Sequence, residues 1–179
     1  MGYINHISRF VLLPGSAEAI KLLNTHGFRA FVTSNQSGVA RGYFPPELVD
    51  RVHARMRELL EREGGQVDEV YYCPHHPDGV VPEYSRRCPC RKPAAGMIEE
   101  ACRDFDIDLG HSYVIGDRLI DIEMAERASL KGILVKTGYG RGEVDYLLPH
   151  ASLKPVYIAR DLLEAVQWIV ERNAQGDPQ

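Results

Sequence analysis

Four side chains in one short window have the types and spacing of a metal site. Cys73-Pro74-His75 and Cys88-Pro89-Cys90 form a C-x-H … C-x-C set. Three thiolates and one imidazole are a tetrahedral ligand set for Zn²⁺. With every position taken by protein, such a metal is structural rather than catalytic. His76 competes with His75 for the histidine position, but Cys73 and His75 straddle a single proline, which favours His75. Arg91-Lys92-Pro93 follows at once. Two cations beside a helix start, with Pro93 suited to its first turn, make an anion site. Two more stretches extend the chemistry. Val32 to Gly38 (VTSNQSG) reads as a strand end running into a small-residue loop. Val114 to Asp121 (VIGDRLID) reads as a short buried strand ending in Asp117, with Asp121 four residues on along a new helix. A hydroxyl and an amide at one strand end, Ser34 and Asn35, with a carboxylate at another, Asp117, suit a phosphate and a hard cation such as Mg²⁺. Asp121 could cap its helix, orient Lys92 or support the metal's shell. Ser34 or Asp117 alone reads equally as a helix cap. The two stretches together, with the segment between them, point to phosphate.

These residues need a scaffold that brings them to one place. Ser16 is a good N-cap for a helix to about Thr25, and Gly27 stops it. Phe28 to Thr33 is a predicted strand. Pro45-Pro46 opens a long helix to about Glu63, with Leu48, Val52, Met56 and Leu59/Leu60 at helical spacing. Val67 to Tyr72 is a strand that leads into Cys73. Residues 74–93 have no periodicity and read as a loop, of a length that is usually functional or tied down. A helix from Ala94 to about Phe105, a strand at Tyr113 to Gly116, a helix from Arg118 to about Ala128 and a strand at Gly132 to Lys136 follow. Residues 138–149 are a glycine-containing loop. Val156 to Ala159 and a helix from Asp161 to about Glu171 end the fold, before a polar tail at 173–179. Strands alternating with helices predict an α/β domain over residues 1–172, a Rossmann-like parallel sheet with helices on both faces. Right-handed crossovers put the carboxyl ends of the strands on one edge, where ligands bind. That edge collects Ser34, Cys73, Asp117 and Thr137.

Bulk properties bound the partners. The 179 residues suffice for one domain with a full core. A net charge of −4 with no basic stripe argues against nucleic acid and anionic membrane. No apolar run reaches membrane-spanning length, and the first residues have neither the charged nor the apolar region of a signal peptide. The expectation is a cytoplasmic monomer acting on a small molecule, whose clustered thiols are kept reduced for metal rather than for disulfides.

TSNQSGVARG (33–42), YYCPHHPDG (71–79), CPCRKP (88–93) and YVIGDRLIDIEMA (113–125) resemble the D-glycero-D-manno-heptose 1,7-bisphosphate 7-phosphatases. These belong to the haloacid-dehalogenase-like phosphatases. The similarity runs from about Gly2 to Val170, and the pairing of a zinc loop with a TSNQSG-type loop is specific. Histidinol-phosphate phosphatases share the zinc idea with a typically shorter cysteine loop. Polynucleotide 3′-phosphatases share the TNQ-G loop without this zinc loop. The resemblance implies that Ser34, with Asn35 beside it, holds the transferring phosphoryl group and that Lys92 neutralises it. It implies that Asp117 ligates Mg²⁺, that Arg91 and Arg118 bind substrate, and that Cys73, His75, Cys88 and Cys90 hold Zn²⁺. Arg118 stands where several relatives carry lysine. The implied substrate is a sugar phosphate.

One departure is large. The family's nucleophile and its general acid/base are the two acids of a D-x-D motif at the end of the first, central strand. Here the first aspartate is Asp50. Asp106-Ile107-Asp108 has the spelling, but it follows a helix and precedes a strand, so it reads as loop. The expectation is that the natural protein starts upstream of Met1, and that the chain as it stands lacks the nucleophile and does not turn over. The first central strand would be missing with it, leaving two sheet edges without their partner. The rival is a non-catalytic, zinc-stapled phospho-sugar-binding relative. A weaker one is a phosphatase for histidinol phosphate or a nucleic-acid 3′ end.

Overall fold

The computed structural model describes residues 2–175. Its elements are α1 (Ser16–Thr25), β1 (Phe31–Asn35), α2 (Pro46–Arg62), β2 (Glu69–Cys73), α3 (Gly96–Asp104), β3 (Tyr113–Gly116), α4 (Leu119–Arg127), β4 (Lys131–Val135), α5 (Gly140–Gly142, a single turn), β5 (Tyr157–Ala159) and α6 (Leu162–Ala174). All strand pairs are parallel. No described helix is long and apolar enough to cross a membrane.

The α/β class and the parallel strands are those expected, and the strands fall into two groups, as in a sheet without its central strand. β1 pairs with β2, and separately β3 pairs with β4 and β4 with β5. Between the halves lies a cavity of 850 Å³, lined on one side by Phe31 to Ser34 of β1 and on the other by Tyr113 to Gly116 of β3. Lys92, Asp117 and Asp121 stand at its carboxyl end. Unpaired strand edges leave backbone donors and acceptors without partners, so the β1 and β3 edges lining one cavity have the chemistry of a slot for a strand.

The helices cover both faces because side chains alternate along each strand. Tyr113 and Ile115 of β3, with Ile133 and Val135 of β4, pack with Ala165 and Ile169 of α6. Val114 turns the other way, toward Met97 and Ala101 of α3 and Met124 of α4. On that second face Gly132 leaves room for α4, since a Cβ there would sit 3.1 Å from Ile122.

Local chemistry shifts several boundaries. Gly15, at φ +78°, is the residue before α1, and Ser16 is already helical rather than the N-cap. Pro93 does not enter a helix. The Ala94 amide turns back to the Arg91 carbonyl and the Gly96 amide bonds to the Pro89 carbonyl, so α3 starts only at Gly96. The segment expected as loop after β4 contains α5, a π turn at Glu143–Leu147 and a 3₁₀ turn at Leu148–His150. α6 takes in Asn173 and Ala174 of the expected tail, and residues 176–179 lie outside the described residues.

Ile133 is fully buried at the centre of the three-stranded half. Ile133→Ala removes methyl groups and leaves a void, so it is expected to cost about 2–5 kcal/mol in urea unfolding.

Candidate active site

β1 delivers Ser34 and Asn35 to the carboxyl edge, and the next residue, Gln36, turns back on them. Gln36 Nε2 donates to Ser34 Oγ at 3.0 Å. With its oxygen already accepting, the Ser34 hydroxyl points its own proton elsewhere, which is what an anion requires. The Asn35 side chain forms two bonds to the backbone of Lys92. Its Oδ1 accepts from the Lys92 amide at 3.0 Å, and its Nδ2 donates to the Lys92 carbonyl at 3.1 Å. What Asn35 does in the structure is hold Lys92.

Lys92 is the hub. Its Nζ lies 2.7 Å from Asp121 Oδ1 and 3.0 Å from the Thr33 carbonyl, with 13% of the side chain exposed. Two acceptors leave one of its three protons for a ligand. Asp121 is buried and fully used, since its Oδ2 accepts from the Arg118 amide at 3.1 Å at the start of α4 while its Oδ1 meets Lys92. Capping and orienting Lys92 therefore account for Asp121. Gly116 makes the fit possible, because a Cβ there would come within 2.3 Å of the Asp121 side chain.

Asp117 follows β3 directly. Its Oδ2 accepts from the Tyr139 amide at 2.8 Å. Its Oδ1 has no hydrogen-bond partner among the described residues, so one carboxylate oxygen can meet a cation. Mg²⁺ is held by one or two carboxylates plus water and substrate phosphate, and a single half-free aspartate beside a phosphate cradle fits that donor set. The Tyr139 amide reaches Asp117 because Gly138 sits at φ +58°, with the Asp117 carboxylate only 2.1 Å from where a Cβ would be.

Ser34, Asn35, Arg91, Lys92, Asp117, Arg118 and Asp121 line one cavity of 380 Å³, which also touches Gly2, Tyr3 and Tyr139. Arg91 Nη1 donates to the His75 carbonyl at 3.2 Å, tying this cation to the cysteine loop. Arg118 is half exposed and lies over the Tyr139 ring, 5.2 Å from its centroid.

The four metal-type residues also come together. Cys73 Sγ, Cys88 Sγ, Cys90 Sγ and one His75 ring nitrogen all lie within 4.8 Å of one another and could hold a metal ion. The sulfurs of Cys73 and Cys90 are 3.3 and 3.2 Å from that of Cys88, and His75 Nδ1 is 3.7 and 3.5 Å from Cys73 and Cys90. Ligands about 2.0–2.3 Å from a tetrahedral centre stand about 3.5 Å apart, so the spacing fits. Burial, then Arg86, holds the His75 imidazole below its usual range, in the neutral form that binds metal. Burial opposes a Cys88 thiolate, but hydrogen bonds from Cys90 and Cys73 outweigh it and lower that thiol. Burial and the other two sulfurs push Cys90 far up. His76 stands apart. Burial, then Arg41 and Arg91, keeps it neutral, and it faces Arg41 Nη2 at 3.0 Å.

Sequence reasoning passed over three contributors. Gln36 was visible in the TSNQSG run but has a role only once the chain turns back. Tyr139 and Glu143 sit in a glycine-containing stretch without motif spelling. Glu143 is buried, 24 residues from the Leu119 amide that its carboxylate accepts.

A parallel α/β fold with a hydroxyl, a buried lysine and an aspartate at strand ends fits a haloacid-dehalogenase-like hydrolase, and comparisons with known proteins agree. A family model described as "HAD-hyrolase-like" matches residues 89–165. The chain is 43% identical over 173 residues to the D-glycero-D-manno-heptose-1,7-bisphosphate 7-phosphatase of Thermosynechococcus vestitus, covering 94% of this chain and 88% of that one. It is 38% identical over 169 residues to the enzyme of the same name from Chlorobaculum tepidum, covering 92% and 83%. Among solved structures it superposes on D,D-heptose 1,7-bisphosphate phosphatase from B. bronchiseptica, complexed with magnesium and phosphate, with TM-score 0.83, 32% identity and coverage of 95% and 89%. A putative HAD-like phosphatase from Mesorhizobium loti gives TM-score 0.79 at 34% identity, with 96% and 79% covered. The chain belongs to the D-glycero-D-manno-heptose-1,7-bisphosphate 7-phosphatase family, whose members are phosphomonoester hydrolases.

Asp121→Ala leaves the Lys92 ammonium buried without its counterion. Removing one partner of a buried pair costs about 3–5 kcal/mol. Denaturant unfolding of the variant is expected to read a loss of that size, larger than that of Asp117→Ala.

Proposed function

We propose that this protein serves a Mg²⁺-dependent phosphatase that removes the 7-phosphate of D-glycero-D-manno-heptose 1,7-bisphosphate. The observation that carries the reading is the convergence of Ser34, Lys92 and Asp117 on one cavity with Arg91 and Arg118. Ser34 Oγ–H and the spare Lys92 proton bind two oxygens of the transferring phosphoryl group. Their placement before reaction is what lowers the barrier as charge develops. Arg91 and Arg118 orient the rest of the sugar phosphate. Asp117 would hold a Mg²⁺, which would supply neutralisation of phosphate charge when bound. Cys73, His75, Cys88 and Cys90 hold a structural Zn²⁺ that fixes the loop carrying Arg91 and Lys92. Free thiols in this arrangement suit a reducing cytoplasm, and the enzyme works as a monomer.

The covalent step needs a carboxylate that attacks phosphorus and a second acid that protonates the leaving oxygen. Asp117 and Asp121 are the acids among the described cavity residues, and both have other work. Asp106 and Asp108 line the opposite, amino end of the slot beside β3. The slot between β1 and β3 opens on the carboxyl edge, where a strand carrying such a pair would deliver it to the cavity.

Residues 1–179 alone are expected to release no phosphate from the heptose bisphosphate with Mg²⁺, by a colorimetric phosphate assay. Magnesium-dependent turnover by this polypeptide would sink the account of the nucleophile. Binding of the sugar bisphosphate without turnover, by a protein whose intact mass in its source equals that of residues 1–179, would favour the binding-protein reading.

Elemental analysis is expected to find about one Zn²⁺ per chain, because all four ligands are present and near tetrahedral spacing. Cys88→Ser should lose most of that zinc and unfold at a lower temperature. Wild-type protein purified without metal and equally stable would remove zinc from the proposal.

A further inference from the structure

We propose that Glu143 is a positioning residue, which fixes Arg118 so that its terminal amino groups meet the second phosphate of a sugar bisphosphate. The inference rests on the phosphate-site reading above and adds what recognises the phosphate that is not transferred.

Glu143 is a buried acid on a turn remote in sequence from the site. It is 6% exposed. Its carboxylate accepts from the Leu119 amide at 3.0 Å and from Arg118 Nε at 3.4 Å. A buried carboxylate is costly unless it is paired, and both of its partners belong to the junction that opens α4. The same turn grips that junction twice more. The Tyr139 amide donates to Asp117, and the Tyr139 ring lies under the Arg118 guanidinium. The Glu143 amide in turn bonds to the Tyr139 carbonyl at 3.2 Å, so acid and ring move as one piece.

Arg118 is thereby held at one nitrogen and on one face. Its side chain remains 49% exposed at the cavity that holds Ser34 and Lys92. A guanidinium fixed at Nε keeps two terminal amino groups in a planar fork, the geometry that takes a phosphate by paired hydrogen bonds. Lysine could not be held this way, since it has neither an Nε donor nor a planar face. Lys92 and Ser34 already occupy the β1 side of the cavity, whereas Arg118 comes from the β3–α4 side. The two sets suit two anionic groups on one molecule better than a single phosphate.

The test is a double-mutant cycle read by calorimetric binding to the chain, with two probes: D-glycero-D-manno-heptose 1,7-bisphosphate and inorganic phosphate. Glu143→Gln is expected to weaken bisphosphate binding about tenfold, the worth of one charge-assisted contact. Inorganic phosphate should change less than about twofold. In an Arg118→Ala background Glu143→Gln should have no further effect, because its action runs through the arginine. Equal weakening for both probes would make Glu143 a general support of α4 and overturn the proposal. So would an undiminished Glu143→Gln effect without Arg118. Failure of the unmutated chain to bind either probe would overturn the phosphate-site reading and this inference with it, a result distinct from the other two. If Glu143→Gln does not fold, Tyr139→Leu at the exposed ring replaces it in the cycle, with the same expected pattern and the same overturning results.

Discussion

A single buried ammonium group ties the two halves of this fold together at the carboxyl edge. Lys92 leaves the cysteine loop, meets the Thr33 carbonyl of β1 on one side and Asp121 of α4 on the other. β1 belongs to one half of the divided sheet and α4 packs on the other. The ion pair therefore bridges the two halves at the carboxyl end of the slot. Its energy in the interior depends on geometry, because burial of two charges is offset only by a close and well-bonded pair. The surroundings supply that geometry. Asn35 holds the lysine backbone from β1, and the Arg118 amide holds Asp121 from α4.

The cysteine loop gains its meaning from this constraint. A segment from Pro74 to Pro93 has one short 3₁₀ turn and little apolar surface to bury. Left to itself it would not hold two long cationic side chains in place, given the rotamer entropy that each must lose. Four metal-type ligands on either side of the loop close it. The Arg91 bond to the His75 carbonyl and the Asn35 bonds to Lys92 then fix the cations at its exit.

Much of this was legible before any coordinates. Strand β3 falls on the four residues expected, because a short apolar run between a loop and an acid has few alternatives. The Cys73, His75, Cys88 and Cys90 cluster follows from spacing, since a proline between two ligands leaves them little choice of direction. Other features depend on contacts that a one-dimensional pattern does not carry. The delayed start of α3 comes from a bond between Gly96 and the Pro89 carbonyl. Asn35 looks like a ligand for phosphate until the loop 57 residues away is seen to use its amide. Glu143 has no spelling at all, and its value lies in being buried beside a helix start. The split of the sheet was anticipated from a strand that the pattern lacked, but the slot's helix-covered faces required the packing of α1, α3, α4 and α6.

The pairing of Asn35 with Cys73 in the β1–β2 ladder has a further meaning. The loop after β1 and the cysteine loop leave the sheet from the same rung, and the Gln36 amide bonds the Cys73 carbonyl at 2.8 Å. Gln36 is the residue that orients the Ser34 hydroxyl. Displacement of Cys73 thus tilts the donor that sets the serine. A cation on the cluster and an anion on the serine would share one mechanical linkage, and any coupling between their affinities would be equal in both directions. In a cell short of metal, such a junction would make the anion itself a means of retaining the cation.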